Sequence, residues 1–146
     1  MTPWKHPPKE KIYEAFSVLA DNRYSFTGEN SAHVHSSDDT RHYTVKWTID
    51  GDSVKITSDD NGSRWQGYTG YPIIAILMIK NLLKVDPEII PYFKSIPWNS
   101  LNKSFKNNYA LAVESVLSGM QKDISEKIRK ESDSVFEQLK ALNLYR

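Results

Sequence analysis

The chain has 146 residues, 39 % hydrophobic and 12 % aromatic, a size that forms one ordinary domain with a core needing no disulfide or structural metal. It contains no cysteine, which excludes a disulfide framework, thiol catalysis, iron–sulfur ligation and every cysteine-ligated zinc site. Nineteen basic against 18 acidic residues leave a formal charge of +1, which argues against a purely electrostatic nucleic-acid or membrane binder.

Pro3, Pro7 and Pro8 make residues 1–8 an extended arm with no apolar leader. A cytoplasmic location is therefore expected. Ile12, Ala15, Phe16 and Leu19 recur at helical spacing, so a helix is predicted over 9–21, ended by Asp21-Asn22. An antiparallel sheet is predicted over 23–58. Residues 42–49 alternate, with Tyr43, Val45, Trp47 and Ile49 on one face. Asp50-Gly51 is a two-residue hairpin signal. Centring the turn there pairs Ile49 with Asp52, Trp47 with Val54, Val45 with Ile56 and Tyr43 with Ser58. Residues 37–40 then serve as a loop that sets Val34 opposite Tyr43 and Ala32 opposite Val45. Tyr24 and Phe26 join through a turn at Gly28-Glu29-Asn30. The outcome is a three- to four-stranded antiparallel meander with one apolar face, which helices must cover.

Residues 59–71 form a connector rich in glycine and aromatics, and Pro72 suits a helix start. The helix over 73–83 is apolar on nearly every side, the pattern of an element buried at the centre of a core. Asp86-Pro87-Glu88 starts a short helix that Pro91 limits, and Pro97 opens another with Trp98, Leu101 and Phe105 on one stripe. Asn107-Asn108 breaks it. A further stripe runs from Tyr109 to Met120, where Gly119 leaves open whether the helix continues. Residues 121–142 read as a charged amphipathic C-terminal helix. Its narrow stripe, Ile124, Ile128, Val135, Leu139 and Leu142, packs on its own domain or on a second copy in a homodimer.

Two clusters carry possible chemistry. His33, His35 and His42 share the polar face of the meander, with His35 opposite His42, so a divalent metal has candidate imidazole ligands there. Asp38 and Asp39 adjoin them. The plainer reading is a solvated sheet face. In the connector, Arg64, Trp65, Gly67, Tyr68, Gly70 and Tyr71 combine stacking faces, a planar cation and glycines that allow close approach to a ligand or partner. The plainer reading there is an aromatic cap on the core. Lys46 opposite Lys55 hints at an anion such as nucleic acid, but the strand aromatics face the core, where they cannot stack on bases. No phosphate-loop, EF-hand or nucleophile-elbow pattern is present, and the acidic pairs fall in turns. No catalytic residue can be named.

These features predict an α+β protein: an N-terminal helix, the meander, then a helical C-terminal half on one sheet face. The function they fit is a small non-catalytic binding or interaction protein with a protein or small-molecule partner and no cofactor. A metal-dependent or small-molecule enzyme on the histidine face is the alternative, and a weak nucleic-acid binder the second. Residues 1–70 hold all four histidines with 8 basic and 10 acidic side chains, whereas 71–146 hold 11 basic and 8 acidic.

Overall fold

In the computed structural model, which describes residues 2–146, the helix α1 covers Lys11–Ala20 and buries every residue from Ile12 to Val18. Asn22, in the left-handed region at φ 51°, turns the chain into the sheet. The strands are β1 (Tyr24–Gly28), β2 (Ser31–His35), β3 (His42–Asp50) and β4 (Ser53–Ser58), and they form an antiparallel meander in chain order. The fold is α+β, as the sequence predicts.

The β2–β3 register agrees with expectation: Val34 faces Tyr43, Ala32 faces Val45 and His35 faces His42. The β3–β4 register does not. Asp50 pairs with Ser53, Ile49 with Val54, Trp47 with Ile56 and Val45 with Ser58, so the two turn residues are Gly51 and Asp52. Gly51 sits at φ 60° and Asp52 keeps negative φ, the arrangement of a type II′ hairpin turn. A turn centred on Asp50-Gly51 would have forced a Cβ-bearing residue to positive φ; moving it one residue puts glycine there alone. Every apolar side chain stays on its predicted face because side-chain direction repeats every two residues. One inference falls: Lys46 faces Thr57 and Lys55 faces Thr48, so the two lysines are not opposed.

A fifth strand, β5 (Asn143–Tyr145), runs parallel to β4 and extends the sheet beyond the three- to four-stranded meander expected from the sequence. β5 and β4 together hold the N-terminal arm, since Trp4 N donates to Leu144 O of β5 (3.1 Å) and Trp4 Nε1 donates to Ile56 O of β4 (2.8 Å).

The helix α2 covers Tyr71–Ile79, with every residue from Pro72 to Met78 buried. It lies on β3 and β4 on one side and on α1 on the other. That double coverage is why the segment needs no polar face. It ends before the predicted Leu83, because Asn81 turns left-handed and Leu82 N donates to Leu77 O. A 3-10 helix (Pro87–Phe93), capped by Asp86, leads to α3 (Trp98–Ser104) and α4 (Tyr109–Leu117). The chain then breaks around Gly119, and α5 covers Lys122–Ala141. Ile128, Val135 and Leu139 of α5 are buried in the core, and Tyr13 Oη bonds Ser132 Oγ at 2.8 Å. The apolar stripe of α5 is thus covered within its own chain.

Among the described residues no helix is long and apolar enough to cross a membrane.

Candidate functional site

The connector after β4 is ordered around one carboxylate. Asp60 Oδ1 accepts from Ser58 Oγ (2.5 Å) and Ser63 Oγ (2.7 Å), and Oδ2 accepts from Ser63 N (3.2 Å). Ser63 Oγ in turn accepts from Gly70 N at 3.1 Å. The segment Gly62–Gln66 winds into one π-helical turn, and Gly67 caps it in the left-handed region at φ 74°. Any side chain at Gly70 would run into the Asp60 carboxylate. This loop is built by its small residues as much as by its aromatics.

Opposite the connector stands α3, held beside α1 by a polar relay: Trp98 Nε1 donates to Ser17 Oγ (2.7 Å), which donates to Phe93 O (2.8 Å). Asn99 N donates to Ser37 Oγ at 3.0 Å, which ties the start of α3 to the β2–β3 loop.

Between connector, α1, α3 and the start of α4 opens a cavity of about 690 Å³, a volume suited to a small molecule. Tyr43, Trp65, Tyr68, Tyr71 and Tyr109 supply its aromatic walls, Asn99, Asn102 and Asn107 its amides, and Lys103 and Lys106, which form no ion pair among the described residues, its cations. The buried pair Lys11–Glu14 also faces it: Lys11 Nζ lies 2.9 Å from Glu14 Oε2 and 3.8 Å from the centre of the Tyr109 ring. Asn102 Nδ2 donates to Glu14 Oε1 at 3.1 Å, so both carboxylate oxygens are engaged. Burial lowers the Lys11 pKa, but the Glu14 charge and hydrogen bond outweigh it, and the net shift is upward. Lys11 therefore stays an ammonium.

Burial also pushes the phenols of Tyr43, Tyr68 and Tyr71 above their ordinary value, so they remain neutral hydroxyls able to donate. Among the described residues the hydroxyls of Tyr43, Tyr68, Tyr71 and Tyr109 have no hydrogen-bond partner, in contrast to that of Tyr13. Lys106 (φ 52°) and Asn107 (φ 62°), both cavity residues, are consecutive left-handed positions without a glycine. Such conformations cost free energy and concentrate at ligand clamps.

Four of the six connector residues singled out from sequence, Trp65, Tyr68, Gly70 and Tyr71, line this cavity. Arg64 does not; it lies over the outer Trp65 ring, 5.4 Å from its centre. Gly67 has a structural task, since its carbonyl accepts from Lys5 N at 3.0 Å. Sequence reasoning missed Lys11, Glu14 and the α3 residues. The available signal was a charged pair, three apart, inside the buried stretch of α1.

His33, His35 and His42 lie on the other face of the sheet and do not line the cavity. His35 and His42 stack, with ring centres 4.1 Å apart and planes 9° from parallel. Asp39 joins them, and among the described residues His35, Asp39 and His42 form the group whose donor atoms converge within 4.8 Å. His33, facing Thr44 and Ser25, is outside it.

Fold and site together define an α+β protein with a polar, tyrosine-walled cavity between the connector and the helical half. The chain belongs to the family described as Uncharacterised conserved protein UCP014422, whose model matches residues 4–145. No curated protein and no solved structure matches it significantly.

Proposed function

We propose that the protein is a small-molecule binding protein, non-catalytic, whose ligand is a small, oxygen-rich anion held in the cavity beside α1. The observation that carries this reading is the set of donors on its walls that have no partner among the described residues: four tyrosine hydroxyls and the ammonium groups of Lys103 and Lys106. Donors in excess select a ligand rich in acceptors. The two lysines favour a phosphate or carboxylate group, and the rings supply flat apolar surface for the ligand body. Glu14 does not suit an acid–base role, since Lys11 and Asn102 hold both of its oxygens. A cytoplasmic location fits such a ligand. Homodimer formation through α5 draws no support from a stripe already buried.

The test is a thermal-shift screen of sugar phosphates and hydroxy-carboxylates, with their neutral parents for comparison, on the native chain and a Lys103→Ala/Lys106→Ala variant. Stabilisation by anions that the variant loses supports the reading. An absence of shift with every anion at millimolar concentration, or equal shifts in the variant, refutes it.

A further inference from the structure

A second site lies on the opposite face of the sheet, at the β2–β3 hairpin. His35 N donates to Arg23 O, just before β1 (2.9 Å), while Ser36 N donates to Arg41 O (2.9 Å). His35 and His42 are therefore a non-hydrogen-bonded cross-strand pair, the kind whose side chains approach most closely. Their near-parallel rings, 4.1 Å apart, follow from that register.

The loop between them divides its work between two adjacent carboxylates. Asp38 Oδ1 accepts from Thr40 N (3.1 Å), Thr40 Oγ1 (2.7 Å) and Ser36 Oγ (2.8 Å), and so holds the loop closed. Asp39 sits at φ 59°, a left-handed position that returns its carboxylate over the strands. Its Oδ1 lies 2.9 Å from His35 Nδ1 and 3.3 Å from His42 Nε2. Donor atoms on a tetrahedral ion with bonds of about 2.0–2.1 Å are separated by roughly 3.3 Å. The two distances from Asp39 match that within a few tenths of an ångström, and the two imidazole nitrogens lie within 4.8 Å of each other.

We infer that His35, Asp39 and His42 form a binding site for a divalent transition-metal ion of the zinc class. Two imidazole nitrogens and one carboxylate oxygen are ligands such ions favour. Three protein donors leave the remaining position to water, because the group is open to solvent: the side chains are 32 %, 72 % and 54 % exposed for His35, Asp39 and His42. Binding displaces any proton on the two ligating nitrogens and turns one of the near-parallel rings so that both in-plane lone pairs meet at the ion. The inference is independent of the cavity, since none of the three residues lines it.

The experiment is equilibrium dialysis of the untagged full chain against zinc, followed by elemental analysis and competition with a chromophoric chelator. One zinc per chain is expected. His35→Ala and His42→Ala should each weaken binding at least about tenfold, and Asp39→Asn, which preserves the shape of the side chain, should weaken it measurably. His33→Ala should bind as the native chain does, and circular dichroism melts confirm that each variant is folded. Substoichiometric zinc in the native chain overturns the inference. So does native affinity in the His35 or His42 variant, or loss of zinc on replacing His33 alone.

Discussion

Glu14 carries a charge inside the buried stretch of α1, and the protein tolerates it because Lys11 and Asn102 complete its hydrogen bonds. Removing one member of a buried pair leaves the other uncompensated. Glu14→Ala is therefore expected to destabilise by about 3 kcal/mol, read from urea unfolding, and more than Lys103→Ala at the rim. Gly70 poses a steric question instead. Gly70→Ala must displace the Asp60 carboxylate and with it the bonds from Ser58 and Ser63. A loss of about 1–3 kcal/mol follows from overpacking, and a melt unchanged from the native chain would contradict that account. Tyr71 gives a pH signature. Its folded pKa is raised above 10.0 by burial, so above that value the unfolded chain releases a proton that the native chain keeps. Stability then falls as pH rises beyond about 10, and Tyr71→Phe should flatten that alkaline decline in a series of melts.

Among the elements, α2 and β5 behave in opposite ways toward prediction. The apolar run of α2 announces its burial, since an element with no polar face has to be covered all round. β5 has three residues and no strand pattern of its own; it forms because the edge of β4 offers unpaired backbone groups. Deleting residues 143–146 removes that pairing, the Leu144 carbonyl that accepts from Trp4 and the Arg146 side chain over the Trp4 ring. The expected result is a lower melting temperature and increased fluorescence quenching of Trp4. The α5 stripe was legible as apolar, but whether it met its own chain or a second copy was not. Periodicity identifies a sticky face and says nothing of its partner. Ile128→Ala should cost about 2–5 kcal/mol. A stripe buried within one chain predicts that this loss is independent of protein concentration, whereas a shared stripe makes the melt concentration-dependent.

At the scale of the molecule, the sheet separates two polar regions. The cavity lies on the helical side, where the connector, α1 and α3 converge. The hairpin group of His35, Asp39 and His42 lies on the exposed side. Among the described residues, the basic excess of residues 71–146 reaches the cavity through Lys103 and Lys106, and the histidines of the acidic first half do not line it. Screening for anions and dialysis against zinc therefore probe different surfaces, and Lys103→Ala/Lys106→Ala is expected to leave zinc uptake unchanged.

The sequence by itself determined the α+β class, the sheet faces, the His35–His42 pairing and the burial of α2. Each follows from a short-range period or a turn rule acting on neighbouring residues. It also marked Trp65, Tyr68, Gly70 and Tyr71 as unusual, without showing what they enclose. Tertiary structure decided the rest. The cavity needs Lys11 and Glu14 from α1 beside Asn102 and Lys103 from α3, which are about 90 positions away in the chain. Asp39 rather than His33 completes the histidine group because one left-handed residue returns its carboxylate over the strands. The β3–β4 register shifted because only Gly51 could take the positive φ at no steric cost. The near-neutral charge of the whole chain still stands, but it is the average of two unlike halves, and the cavity is closed by one residue set from each.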